Sequence, residues 1–178
     1  MKERSIIAKA IVIILIAVCG NALAETIPQV PDSLKTSATE VLLLKAQGKG
    51  VQIYECKVST DAKHFEWVFK APEAELFDNS GKIIGKHYAG PTWESNDGSK
   101  VTGKVKGRDN GPNPNSIPWL LLTAKSTSGN GVFSRITSVQ RLNTSGGKAP
   151  DEGCNQSSVD KEIRIPYKAT YYFYVAKP

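Results

Sequence analysis

The chain has 178 residues, a formal net charge of +6 and three cysteines. Its 23 basic and 17 acidic residues give only a mild basic excess, which argues against the concentrated basic face of a nucleic-acid binder. A chain of this length typically forms one domain with a real hydrophobic core, so we expect a single domain without a nucleic-acid partner.

The N-terminus has the pattern of a secretion signal. Basic residues precede an apolar run at 10–18, and Ala22-Leu23-Ala24 offers the small residues of a cleavage site. The apolar run is shorter than the roughly 20 residues of a spanning helix. We predict a cleavable signal peptide over 1–24, no stable transmembrane anchor, and a periplasmic or extracellular location. Cys19 leaves a lipoprotein signal as an alternative, which the bulky Val18 before it disfavours.

Two cysteines, Cys56 and Cys154, remain after cleavage. Export takes them to an oxidising compartment, where a lone pair of cysteines tends to cross-link. We predict a structural disulfide between them, with two buried free thiols as the alternative.

The mature chain begins with a polar, proline-containing stretch at 25–37, which predicts an extended N-terminal arm. Two apolar runs then flank Gly48-Lys49-Gly50. Because glycine permits the positive φ of a tight reversal, the pattern predicts a β-hairpin over 40–58. A short helix over 37–47 is the rival interpretation, since Ala, Leu, Lys and Gln favour helix.

Two later segments alternate with the two-residue period of a strand. Phe65, Trp67 and Phe69 fall on one face, and we expect all three to point inward. Residues 100–106 place valine and glycine on one face and lysine on the other, as in a half-buried strand.

The lysine face forms a basic stripe of Lys100, Lys104 and Lys106, extended by Arg108. Such a stripe is usually a solvated face or a guarded sheet edge, and we prefer that interpretation. Attraction of an acidic polysaccharide or a lipid headgroup is the alternative.

The rest of the chain continues this pattern. Residues 109–118 predict an irregular loop, 119–122 a buried strand, and 133–142 a long strand with a bulge. Apolar residues recur strictly at every second position over 163–175, and Pro166 belongs at a strand end or edge. About eight to ten short strands with little helix predict an all-β fold, an antiparallel sandwich or barrel, in one domain over 38–178.

Five motifs together resemble the exported family catalogued as domain of unknown function 3455. They are Gly-Val-Gln-Ile-Tyr-Glu-Cys at 50–56, His-Tyr-Ala-Gly-Pro-Thr-Trp-Glu at 87–94 with Asp-Gly-Ser at 97–99, Ile-Pro-Trp-Leu-Leu at 117–121, Gln-Arg at 140–141 with Thr-Ser-Gly-Gly at 144–147, and Pro-Tyr-Lys-Ala-Thr-Tyr-Tyr-Phe-Tyr at 166–174. The resemblance covers roughly 30–176. It implies secretion and a compact domain, and it supplies no established reaction.

Several activities lack their motifs. The glycines at 48–50 are not followed by the third glycine and the helix of a dinucleotide site. Gly98-Ser99 lacks the Gly-x-Ser-x-Gly elbow of many hydrolases. Two histidines and an oxidised cysteine pair make a zinc site improbable, so we expect no metal and no cofactor.

The best candidate for chemistry is the segment 87–99. His87 could act as acid or base, with Glu94 or Asp97 orienting its ring. The alternative is that the aromatics pack in the core, Asp97 makes a turn and His87 satisfies a local hydrogen bond. We assign ligand binding to the aromatic and hydroxyl side chains of the same segment. These are Tyr88, Trp93 and Ser99.

We therefore expect a non-enzymatic exported domain that binds a glycan, a cell-envelope component, another partner or a small ligand. The binding loops would be 87–97 and 110–117, because loops on a rigid sheet commonly carry binding. Arg141 would brace a loop beside the disulfide. A secreted hydrolase using His87 with Glu94 or Asp97 and a structural envelope protein are the competing hypotheses.

Overall fold

Eight antiparallel strands close into a barrel in a computed structural model that describes residues 28–178. Each strand pairs with the next along the chain, and the last pairs with the first. The strands are β1 (Glu40–Val58), β2 (Phe65–Phe77), β3 (Ile83–Tyr88), β4 (Thr92–Ser95), β5 (Lys100–Asp109), β6 (Trp119–Ser128), β7 (Ser138–Gly146) and β8 (Glu162–Ala176). The all-β prediction is confirmed, in its barrel form. The predicted signal peptide at 1–24 lies outside the described residues.

Helical structure in the described part of the chain is limited to three short 3-10 turns, at Asp32–Leu34, Val132–Arg135 and Gln156–Ser158. No helix within residues 28–178 is both long and apolar enough to cross a membrane.

The hairpin predicted over 40–58 is wrong, and so is the helix alternative. β1 is one continuous strand of 19 residues, and it pairs with β8 from Glu40 to Glu55. A Cβ at Gly48 would lie 2.5 Å from a ring carbon of Tyr171, and one at Gly50 would lie 2.1 Å from a backbone oxygen. The two glycines therefore permit close packing inside a strand, and they do not reverse the chain.

The inner core fills the end of the barrel where the loops after β2, β4 and β6 lie. Phe133 in the second 3-10 turn plugs this end and stacks on Phe173, with 4.6 Å between ring centroids. Buried side chains from all eight strands and that turn pack around the plug. They include Ala46, Leu76, Ile84, Trp93, Val101, Leu122, Val139 and Phe173. This closed end supplies a rigid floor for the opposite end.

A second cluster covers part of the outer wall. Leu34 packs there with Leu121, Leu142, Tyr172 and Tyr174. The side chain of Gln140 ties the cluster together, because its Nε2 donates to the Leu34 carbonyl (2.7 Å) and its Oε1 accepts from the Tyr174 hydroxyl (2.6 Å). β8 is therefore buried on both faces over 169–174, although its sequence alternates.

The aromatic strand is predicted correctly, but the burial of its side chains is not. Phe65, Trp67 and Phe69 lie in β2, which extends beyond the filled part of the barrel, and Phe69 is 49% exposed. The Trp67 indole donates to the Glu152 carbonyl (2.9 Å). The Trp67 ring contacts the long β7–β8 loop and the Phe69 ring packs edge-on against Tyr54, because no core lies at this end.

The other predicted elements agree in part with the structure. The lysine strand is β5, and the residues of 119–122 and 163–175 lie in β6 and β8. The long strand predicted over 133–142 is wrong at its start, because the chain forms a 3-10 turn before β7 begins at Ser138. Pro166 lies beyond the last β7 pairing at Tyr167, where β8 has a free edge that needs no N–H.

The predicted disulfide is confirmed. Cys56 and Cys154 are bonded, with 5.4 Å between their Cα atoms and a separation of 98 residues along the chain. The bond fixes the β7–β8 loop to the end of β1. Backbone hydrogen bonds between Cys56 and both Asp160 and Lys161 fix the same loop a second time.

Candidate functional site

The barrel is open at the end where the loops after β1, β3, β5 and β7 lie. A cavity of about 570 Å³ enters the barrel there. Much of its wall is apolar, since the lining includes Phe69, Val105, Ile117, Leu120 and Leu122. This volume is within the range of about 300–1,000 Å³ that is typical of small-molecule sites.

Arg141 brings a positive charge into this cavity. It lies on the same face of β7 as the core residue Val139, and its Nε and Nη2 donate to the Pro118 carbonyl at 3.1 and 2.9 Å. No carboxylate of residues 28–178 forms an ion pair with it. Burial lowers the pKa of Arg141, but an arginine stays protonated in a protein. The guanidinium is therefore an uncompensated cation among the described residues.

His87 and Trp93 face each other across the β3–β4 hairpin and both line the cavity. Their rings stack with 4.5 Å between centroids and 10° between planes. His87 Nδ1 lies 2.9 Å from the Thr92 carbonyl. Because a carbonyl can only accept, Nδ1 carries the hydrogen and Nε2 is an acceptor. Burial lowers the pKa of His87 to about 3, so the ring is neutral near pH 7.

One buried donor at the cavity, Trp93 Nε1, has no hydrogen-bond partner in the described part of the protein, and its side chain is 1% exposed. The Gln52 side chain, which is 2% exposed, interacts with the Tyr167 hydroxyl. The hydroxyl groups of Tyr167 and Tyr171 lie 3.1 Å apart nearby. Burial raises the pKa of both phenols, so both keep their protons at neutral pH.

The charges around the cavity are all of one sign. Its lining contains Lys70, Arg108 and Arg141 and no Asp or Glu. Lys70 is paired with Glu162, which lies outside the lining. The described lining also contains no Ser, Thr or Cys. The arrangement suits binding, since it offers His87 neither a nucleophile to activate nor a carboxylate to orient it.

The structure does not bring the three catalytic candidates together. Glu94 lies on the outer wall, where it accepts from the Tyr88 hydroxyl (2.8 Å) and pairs with Lys100 (3.3 Å). Asp97 lies at the closed end and accepts from the backbone N–H of Ser99 and Val132, both at 2.8 Å. The Ser99 hydroxyl donates to the same carboxylate, and this bond together with the two backbone bonds holds the pKa of Asp97 down to about 2. Neither carboxylate faces His87.

Of the three residues assigned to ligand binding, Trp93 alone lines the cavity. Tyr88 lies on the outer wall beside Glu94. Ser99 is fully buried at the closed end, where its hydroxyl donates to Asp97 (2.5 Å) and accepts from the Phe133 N–H (3.0 Å). Because Trp93 is also buried, it cannot act as an exposed platform for a sugar ring.

The predicted basic stripe contributes one residue to the site. Within the stripe, Arg108 lies at the cavity, and Lys100 pairs with Glu94 on the outer wall. The segments predicted as binding loops contribute His87, Gly90, Pro91, Trp93 and Ile117 to the lining, although His87 and Trp93 lie in β3 and β4.

Three important cavity residues were missed at the level of sequence. Gln52, Arg141 and Tyr171 lie on β1, β7 and β8, which are far apart along the chain. Arg141 holds the start of β6 through Pro118, and it does not brace the loop beside the disulfide. The sequence did offer one signal for Arg141 and Gln52. Alternation places this cation and this amide on the inner face of a strand, where apolar residues are expected.

A second concavity, of about 720 Å³, lies on the outer wall across β1 to β4. Its charged groups compensate each other. Arg164 pairs with Glu73 (2.8 Å) and Lys86 with Glu94 (3.5 Å). The cavity at the open end is therefore the stronger candidate, because its polar groups are left without partners.

A family model described as "Protein of unknown function (DUF3455)" matches residues 37–175. No curated protein and no solved structure matches the chain.

Proposed function

The chain therefore belongs to the DUF3455 family, whose description names no activity, and we propose that its domain binds one small, largely apolar molecule in the open end of the barrel. The observation that carries this proposal is the cavity of about 570 Å³ with apolar walls and a few convergent polar groups. That combination is the usual composition of a small-molecule site.

An unpartnered donor supports the same proposal. A buried donor left without a partner costs about 1–3 kcal/mol. Trp93 Nε1 carries this cost within residues 28–178. A bound molecule that accepts from it would recover the cost, so this side chain favours a binding role over a merely structural one.

Binding is favoured over hydrolysis by the surroundings of His87. A general base for hydrolysis needs a pKa near the working pH, whereas burial lowers the pKa of His87 to about 3. Glu94 and Asp97 accept hydrogen bonds elsewhere. The hydrolase hypothesis therefore has no set of described residues to support it.

The test uses N-phenyl-1-naphthylamine, an uncharged fluorescent probe for apolar sites. We expect saturable binding of one probe per chain, with enhanced emission. Val105→Trp should abolish it, because Val105 is half exposed and lines the mouth of the cavity. Val68→Trp is the matched control, since Val68 is similarly exposed (41% against 50%) but lies outside the lining. Unsaturable binding, or equal binding by both variants, would contradict the proposal.

We further propose that the domain works outside the cytoplasm. The disulfide and the sequence at 1–24 support this location. Expression of the full chain in a bacterium, followed by fractionation and mass spectrometry, should find a periplasmic or secreted product that begins at Glu25. A cytoplasmic product that keeps residues 1–24 would contradict it.

A further inference from the structure

Resting on the proposed binding function, we infer that the bound molecule carries a single anionic oxygen group, such as a carboxylate, which Arg141 receives inside the cavity. The rest of the molecule would be an apolar tail against the wall of Val105, Leu120 and Leu122. The ligand class is thus a small monoanionic amphiphile.

Arg141 is a cation without a counter-charge among the described residues. A buried cation is normally paired, because removal of a charge from water is costly without a counter-charge. Arg141 is partly buried and has only the neutral Pro118 carbonyl and nearby tyrosine hydroxyls as partners within the described chain. With Nε and Nη2 engaged by Pro118, the guanidinium still has N–H groups to donate. An anionic oxygen group would supply the missing counter-charge and accept those hydrogens.

The other polar groups of the cavity also favour an anion. Trp93 Nε1 is a donor that lacks an acceptor within residues 28–178. The lining contains no Asp or Glu that would repel an anion. The polar part of the cavity therefore lacks a negative charge and an acceptor for Trp93, and an anionic oxygen group provides both.

The interior of the cavity offers a single unpaired cation, which limits the ligand to one negative charge. His87 is neutral near pH 7 because it is buried, so it adds no second cation beside Arg141. Lys70 is already paired with Glu162. Arg108 is exposed at the mouth, where it can attract an anion but cannot hold it in the interior.

The test compares ligands that share one tail and differ in headgroup. Decanoate, decanol, decylamine, decanesulfonate and decyl phosphate compete against N-phenyl-1-naphthylamine at pH 7.5, and calorimetry confirms the affinities. We expect decanoate to bind at least ten-fold more tightly than decanol and decylamine. Decanesulfonate, also a monoanion, should bind within a few-fold of decanoate, and decyl phosphate should bind more weakly. Equal affinity for decanol and decanoate would overturn the inference. Tighter binding of decyl phosphate than of decanoate would overturn the limit of one negative charge.

Substitutions assign the preference to one side chain. Arg141→Met should reduce the ratio of decanoate to decanol affinity to about one while probe binding persists. Arg141→Lys keeps the charge and should keep part of the preference, which provides a test if the methionine variant fails to fold. Arg164→Met is the control, because Arg164 lies on the outer wall beside Glu73. An unchanged ratio in folded Arg141→Met would overturn the assignment.

The outcomes separate the two proposals. If neither the probe nor any decyl compound binds, the proposed binding function fails. If the uncharged probe binds in the cavity and headgroup charge has no effect, only the inference about the anion fails.

Discussion

The imidazole of His87 lies flat on the indole of Trp93 inside the barrel, with 4.5 Å between their centroids. The ring of Tyr171 meets both of them edge-on, at 5.2 Å from the imidazole and 5.7 Å from the indole. The three rings form a rigid aromatic group beside Arg141. A proton on His87 would place a second positive charge within this group, so acid should destabilise the fold.

The His87 pKa is about 3 in the folded protein and 6.5 in the ordinary case. Between these values the unfolded chain binds more protons, so stability contributed by neutral His87 is lost as pH falls from 6.5 towards 3. At about 1.4 kcal/mol per pKa unit, the loss from this group is on the order of 5 kcal/mol once the pH has fallen to 3. Urea unfolding of the parent and His87→Gln between pH 7.5 and 4 should give a shallower acid slope for the variant. His64→Gln, in the exposed β1–β2 turn, should keep the parent slope. Equal slopes for the parent and His87→Gln would contradict the prediction.

Loss of the disulfide should destabilise the domain strongly. The bond closes a loop across a separation of 98 residues, which corresponds to about 4–5 kcal/mol in the chain-entropy description. Cys154→Ala is preferable to Cys56→Ala, because Cys56 is fully buried and its truncation also removes core packing. In denaturant unfolding, the parent measured with reductant should have the same free energy of unfolding as the Cys154→Ala variant measured without reductant. Reductant should leave the variant itself unchanged, and a parent that resists reductant without loss of stability would refute the estimate.

Gly48→Ala and Gly50→Ala should differ in their effect on stability. A Cβ at Gly48 meets the buried ring of Tyr171, whereas a Cβ at Gly50 meets the backbone oxygen of Glu73 in the neighbouring strand, which is harder to displace than a side chain. Overpacking costs about 1–3 kcal/mol, and we expect Gly50→Ala at the upper end. Lys49→Ala, between them and exposed, should cost much less. Urea midpoints measure all three, and equal costs for the two glycine variants would show that the backbone yields as readily as the ring.

Asp97→Ala should reduce stability without affecting ligand binding. Its carboxylate accepts from Ser99 and Val132 at the closed end, so truncation frees the turn that carries the Phe133 plug. Thermal unfolding should show a lower melting temperature, while affinity for N-phenyl-1-naphthylamine stays within two-fold of the parent. Glu94→Gln, on the outer wall, should also leave the affinity unchanged. A selective loss of binding in either variant at full stability would restore these carboxylates as functional candidates.

The strands were largely predictable because alternation reports directly which face of a strand is buried. Val101 on β5 follows this rule, and so does β8 over 162–169, where buried or half-buried residues alternate with exposed ones. The rule fails where burial depends on something other than the strand. Phe69 alternates correctly but lies at an open end, and Tyr172 faces outward yet is covered by the N-terminal segment around Leu34.

The site was less predictable because closure of the barrel creates it. His87 and Glu94 are close in sequence, so their proximity suggested a pair, but an odd separation in a hairpin of paired strands places them on opposite faces. Arg141 and Gln52 are distant in sequence and meet only when β1, β8 and β7 lie side by side. A glycine pair inside a strand was equally ambiguous, since a turn and a close approach both require the missing side chain.

The pairing of β1 with β8 joins Glu40 to Ala176, so the two ends of the domain are neighbours in the finished ring. Contacts between such distant positions raise the contact order and slow folding. The first strand has no second partner until the last strand has been synthesised. The nascent chain must therefore stay open until β8 has been synthesised, and closure of the ring is a late event in folding of the domain.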